Sequence, residues 1–103
     1  MRKSNIIKKR TAPKKRYWYA NISFMNSKKA DVVVRAELVV EVSAKDYKFF
    51  PVTGAILYAR KKWSEICIKE TLLVNSVIEI SREDYENFKA MRKEENNFAS
   101  TIL

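Results

Sequence analysis

The sequence predicts an α+β domain in which a duplicated ββα-ββα order builds an antiparallel sheet of about four strands, with both helices on one face. Three observations lead to this prediction: long runs of alternating apolar and polar residues, a strand-to-helix segment that occurs twice, and a length of 103 residues, which suits one domain. We expect a disordered basic N-terminal arm at residues 1–16, a single folded domain at 17–98 and a C-terminal tail at 99–103.

The first 16 residues have the most uneven charge of the chain. They hold eight of the 21 lysines and arginines and none of the 12 acidic residues, so the rest of the chain is almost neutral. A segment this polar buries too little apolar surface to offset the entropy cost of ordering, about 1 to 2 kcal/mol per residue. Its basic clusters suit the phosphate backbone of a nucleic acid.

Two alternating runs predict the first pair of strands. The run that begins at Tyr17 places Trp18 and other apolar residues on one face and Tyr17 and Tyr19 on the opposite face. Residues 31–42 alternate in the same way and are rich in valine, which favours a strand. The intervening residues 26–30 are therefore expected to form a hairpin loop.

A segment that runs from a strand into a helix occurs twice. Residues 40–50 and 78–88 share Glu, Ser, Asp, Tyr and Phe at a constant offset of 38 positions. In each copy a β-branched strand ends on a serine, Ser43 or Ser81, and serine is a preferred helix N-cap. The repeat predicts two helices, of which the second begins at Arg82.

Residues 54–63 are the ambiguous part of the repeat. A strand there would complete the second ββα unit, whereas Ala55, Leu57 and Ala59 are good helix formers. We favour the strand because it preserves the symmetry of the two halves. With both helices on one face, the other face of the sheet is expected to stay open.

The amino-acid composition excludes several classes of function. The chain has no histidine and a single cysteine, Cys67, which excludes Ser-His and Cys-His catalysis, an internal disulfide and the usual zinc sites. The single glycine, Gly54, excludes glycine-rich phosphate loops. We therefore predict no enzyme, cofactor or metal site. A His-free nuclease that uses residues between Tyr58 and Lys62 is the residual enzymatic alternative.

Neither a membrane span nor a secretory signal is predicted. No apolar run reaches the ~18 residues that a transmembrane helix needs, and no apolar stretch follows the basic start. We expect a cytoplasmic protein, or a nuclear one if the source is eukaryotic.

Charge and aromatic residues together predict nucleic-acid binding. Cations displace counterions from phosphates, and exposed aromatic rings stack on unpaired bases. We expect the arm to hold the phosphate backbone, the open face to contact bases or sugars, and further cations to extend the phosphate track. Whether the ligand is DNA or RNA, single-stranded or duplex, stays open. The predicted interface consists of Lys8, Lys9, Arg10, Lys14, Lys15, Arg16, Tyr17, Tyr19, Lys28, Lys29, Arg35, Arg60, Lys61 and Lys62.

A protein-interaction or inhibitory module is the alternative function. The open face would carry four apolar residues, more than a solvated sheet surface requires: Val33, Val39, Leu73 and Val77. This face, or a free sheet edge, would then bind a protein partner or a second copy of the chain. The basic arm would be incidental to that function.

Overall fold

The computed structural model describes residues 14–103 as an α+β fold with four strands and two helices, which confirms the predicted class. No helix in this part of the chain has the length and apolarity needed to cross a membrane. Most of the predicted arm lies outside the described residues, but its last two residues already belong to the first strand. The elements are β1 (Lys15–Met25), β2 (Val33–Ser43), α1 (Val52–Lys62), β3 (Leu73–Ile80), α2 (Arg82–Arg92) and β4 (Phe98–Ile102).

The strands form a mixed sheet in the order β3-β1-β2-β4. β1 pairs antiparallel with β2, as the predicted hairpin requires, and also antiparallel with β3, while β4 runs parallel to β2. The prediction of a wholly antiparallel sheet is therefore wrong at one edge. Residues 99–103, expected to be a tail, supply most of this parallel strand because the chain crosses back over the sheet through α2.

Residues 54–63 form most of a helix, so the predicted strand is wrong. Intrinsic propensity decides the outcome. The small residues Ala55 and Ala59 are buried and let α1 approach the sheet closely. We call the sheet surface under this helix the α1 face; its buried strand residues are Ile22 and Phe24 of β1 with Ala36, Leu38, Val40 and Val42 of β2.

α2 lies on the opposite surface of the sheet, so the prediction that both helices share one face is also wrong. Ser81 caps α2 as predicted, since its hydroxyl accepts a hydrogen bond from the Asp84 backbone N–H at 3.0 Å. Tyr85 and Phe88 then direct the apolar stripe of the helix onto the sheet. We call this surface the α2 face; its strand residues are Tyr17, Tyr19, Val39, Ile80 and Phe98.

The internal repeat is reproduced in its first unit only. β1, β2 and α1 follow the expected ββα order, whereas the second half consists of β3, α2 and β4. Ser43 ends β2 as predicted, but a turn follows it, in which the Tyr47 N–H donates to the Ser43 carbonyl at 3.0 Å. Because α1 begins only at Val52, the two similar segments share a strand end and not a helix start.

A bulge in β3 changes which of its side chains face each helix. The register with β1 shifts so that Asn75 is an extra residue between Val74 and Ser76. One inserted residue moves every following side chain to the other face. Val74 therefore packs on the α1 face, while Ile80 packs under α2.

Candidate nucleic-acid interface

The tyrosines predicted to stack on bases are covered by α2. The Tyr19 ring stacks on Phe88 with ring centroids 5.0 Å apart, and the Tyr17 ring packs on Tyr85 at 4.8 Å. Each contact occupies one face of the ring, and both side chains are half-buried, which leaves little ring surface for a nucleic-acid base. The open face predicted at this position is therefore absent, because the helix fills it.

A polar network that the sequence analysis missed ties α2 to the sheet. The Glu37 carboxylate on β2 accepts a hydrogen bond from the Tyr19 hydroxyl and pairs with Arg92 of α2. Arg92 also pairs with Glu95 at 2.6 Å and lies 5.5 Å from the centre of the Phe98 ring. Because Glu37 and Arg92 are 55 positions apart, no local spacing signals this pair.

Tyr85 is the central apolar anchor of α2. Its side chain is only 1% exposed, and burial raises the pKa of its hydroxyl to about 12. The phenol therefore stays neutral across the physiological range. The Lys89 ammonium lies 5.0 Å from the centre of the same ring, where a cation interacts favourably with the aromatic face.

A basic groove lies where β1 begins, and we call it the arm-end groove. Its volume is about 360 Å³, and Lys14, Lys15, Tyr17 and Arg82 line it. The Lys15 ammonium pairs with Glu41 at 2.6 Å, and this contact raises the pKa of Lys15. Lys14 and Arg82 form no ion pair with any described residue. The groove therefore has two cations available to an anion.

Arg16 belongs to the predicted interface but supports the fold. Its guanidinium donates to the Lys48 carbonyl at 2.9 Å and lies 3.7 Å from the Glu79 carboxylate. The first contact holds the loop after β2 against β1, and the second links β1 to β3. Arg16 also alternates with Lys15 along β1, which places it on the α1 face, away from the arm-end groove.

Other predicted phosphate contacts lie at the far end of the sheet. Lys28 and Lys29 are exposed in the loop after β1, and the neighbouring Ser27 N–H donates to the Ile66 carbonyl at 2.8 Å. This bond ties the loop to the segment that follows α1. Since β1 is about 33 Å long at ~3.3 Å per residue, the cations form two separate sets and not one track. The far set also includes the residues of the last turn of α1, Arg60, Lys61 and Lys62.

The end of the α2 face that the helix leaves uncovered combines apolar and polar side chains. Arg35 is exposed there, and Val33 and Leu73 are 52% and 61% exposed. Val39, expected on the same open surface, is buried beneath α2, and Val77 pairs within the sheet on the α1 face. Of the four apolar residues predicted on an open face, only Val33 and Leu73 are exposed on an uncovered part of the sheet.

We compared the chain with protein-family models, curated proteins and solved structures. No protein-family model, no curated protein and no solved structure matches this chain. Within the described range, no three Cys, Asp or Glu side chains are grouped as a metal ion would require. Of the predicted interface, Lys8, Lys9 and Arg10 lie outside the described residues.

Replacing Tyr19 by alanine is expected to lower the free energy of unfolding by about 2 to 3 kcal/mol, because it removes the Phe88 stack and the bond to Glu37. If the protein binds nucleic acid as its sequence predicts, the affinity of the folded variant should change less than about twofold, since the ring stacks on the protein and not on a base. Urea unfolding and a binding titration of one preparation measure both. A loss of affinity without a loss of stability contradicts this assignment, and Tyr19→Phe, which keeps the stack, is the matched control.

Proposed function

We propose that the chain is a small nucleic-acid-binding protein without a catalytic step. The basic arm at residues 1–16 holds the phosphate backbone, and the arm-end groove continues this contact onto the folded domain. The observation that carries the proposal is continuity: the groove contains Lys14 and Lys15, which lie at the end of the basic arm. Arg82 of α2 adds a cation from a distant part of the sequence.

The groove favours phosphate over base recognition. Arg82 offers a planar fork of donors that matches two phosphate oxygens, and Lys14 offers a compact charge. Phosphate contacts carry no sequence information, so the protein is expected to bind with weak sequence preference. Tyr19 stacks on Phe88, and Tyr17, which lines the groove, packs on Tyr85, so single strands gain little stacking advantage. The higher charge density of duplex DNA should then give duplexes the steeper salt dependence.

Reversing the charge of two groove cations, Lys14 and Arg82, tests the proposal. The double variant Lys14→Glu/Arg82→Glu is expected to bind labelled duplex DNA about tenfold more weakly than the original protein at ~0.1 M salt. Both side chains are exposed, so the fold should be unaffected. Fluorescence anisotropy with single-stranded DNA, duplex DNA and RNA across a salt series measures the affinity and its salt slope.

The far set of cations supplies a control of equal charge. The variant Lys28→Glu/Lys29→Glu changes the net charge by the same amount about 33 Å from the groove. It should lose less than about threefold in affinity, a purely long-range effect. Equal losses in the two variants would show that overall charge, and not the groove, determines binding. Binding no tighter than that of an unrelated protein of equal charge would refute the proposed function.

A further inference from the structure

A second cleft, which we call the β4 cleft, runs along the outer edge of β4 between the two helices. Its volume is about 480 Å³. Tyr58 and Lys62 of α1 form one wall, Lys89 and Lys93 at the end of α2 form the other, and the strand around Ser100 forms the floor. No strand of residues 14–103 pairs with this edge, since β4 is the last strand of the sheet.

The backbone of β4 directs hydrogen-bonding groups into the cleft. The Leu103 N–H donates to the Glu41 carbonyl of β2 at 2.9 Å, so the odd-numbered residues here face β2. In a parallel ladder the intervening residues point away from the partner strand, which directs the backbone groups of Ser100 and Ile102 outward. The Tyr58 hydroxyl donates to the Ser100 carbonyl at 3.2 Å from that outer side, in agreement with this alternation.

We propose that the β4 cleft binds an extended acidic segment of a partner protein, which adds to the sheet as a fifth strand. The outward N–H groups of Ser100 and Ile102 and the outward Ile102 carbonyl supply the backbone pairing, while the Ser100 carbonyl keeps its bond from the Tyr58 hydroxyl. Three lysines line the cleft against one acidic residue, Glu86, which already lies 3.6 Å from Lys89. Lys62 and Lys93 therefore select for carboxylates on the incoming segment. This inference does not depend on the proposed nucleic-acid function.

The same features disfavour two other occupants. A second copy of the chain that paired through this edge would bring two sets of lysines together, and inward-facing lysines are a common protection against such pairing. A nucleic-acid phosphate would use the lysines but not the outward carbonyl groups, which repel it. An extended acidic peptide satisfies the charges and the backbone groups together.

Hydrogen exchange of single amides tests the proposal with a control inside the strand. The probe is a peptide of about ten residues, long enough to span β4, in which Glu alternates with Thr and Val. On addition of the peptide to the full 15N-labelled chain, the amides of Ser100 and Ile102 should exchange at least about tenfold more slowly. The Thr101 amide, which faces β2, should keep its rate.

Charge variants and peptide variants separate strand addition from simple attraction. Lys62→Glu/Lys93→Glu should weaken peptide binding about tenfold, and Lys28→Glu/Lys29→Glu, in the loop after β1 and outside the cleft, should leave it within about twofold. A peptide with Lys in place of Glu should not bind. An acidic peptide with proline at alternate positions should also fail, because it lacks the N–H groups that pair with the edge.

Several results would overturn the proposal. Unchanged exchange at Ser100 and Ile102 in millimolar peptide would show that the edge does not pair. Equal binding of the proline-containing peptide would show that charge attraction alone, without strand pairing, holds the peptide. Displacement of the peptide by single-stranded DNA, with the same amides affected, would assign the cleft to nucleic acid. Exchange protection that depends on protein concentration without peptide would assign it to a second copy.

Discussion

Replacing Tyr85 by alanine is expected to lower the free energy of unfolding by about 3 to 5 kcal/mol, the largest loss of any single substitution in α2. The ring is 1% exposed and fills the space between α2 and the sheet, where it contacts Tyr17. Removing it leaves a cavity and detaches the main apolar contact of the helix with β1 and β2. Urea unfolding followed by far-UV circular dichroism measures the change in stability.

A second position in the same helix provides the matched control. Met91 extends the same apolar stripe in the sequence but is 80% exposed, so Met91→Ala should change stability by less than about 0.5 kcal/mol. A small loss at Tyr85, or losses of similar size at Tyr85 and Met91, would contradict the packing of α2 on this face. The placement of the helix would then need revision, together with the account of the covered tyrosines.

Removing residues 1–13 is expected to lower nucleic-acid affinity by about two orders of magnitude at ~0.1 M salt. The segment carries five basic residues and no acid. If each contacts a phosphate, the slope of log affinity against log salt should become shallower by about 3.5 to 4.5 units. β1 begins at Lys15, so thermal stability should be unchanged. A salt series with duplex DNA, together with a melting curve, measures both quantities.

A neutral arm of equal length distinguishes the effect of the arm's charge on binding from the effect of its length. Replacing each Lys and Arg among residues 1–13 by glutamine should reproduce the loss of affinity and the shallower salt slope. If the neutral arm binds like the original protein, the arm acts through length or shape and not through phosphate contacts. If the deletion leaves the salt slope unchanged, the arm makes no contact with the nucleic acid.

Local sequence patterns predicted the elements that depend on local physics. Strict alternation marked β1 and β2 and their antiparallel pairing. Ser81 marked the start of α2, because an N-cap is recognisable from a single residue type and its position. The symmetry of the repeat predicts a strand at residues 54–63, whereas the alanines favour the helix that the structure shows.

The remaining errors arise from tertiary structure. The amphipathic stripe of α2 shows that the helix has an apolar side but not which surface of the sheet it covers. The bulge at Asn75 places the side chains that follow it on the other face of the sheet, and the alternating pattern does not predict this bulge. β4 has five residues, and its parallel pairing depends on a crossover of the chain.

The candidate site was predictable in its charge but not in its geometry. The excess of cations at the start of the chain identified the arm and Lys14. Arg82 is distant in sequence and joins the groove only through the fold, so no motif reveals it. Tyr19 faces the surface that alternation predicts, yet α2 covers that surface and converts a proposed base contact into a packing contact.

Mapping the bound nucleic acid on the 15N-labelled full chain tests the central claim most directly. Chemical-shift changes on addition of a short DNA duplex are expected at Lys14, Lys15 and Arg82, which line the arm-end groove. The amides of Lys28 and Lys29, at the far end of the sheet, should not shift. Shifts confined to that far end, or none at a protein concentration well above the dissociation constant, would contradict the account.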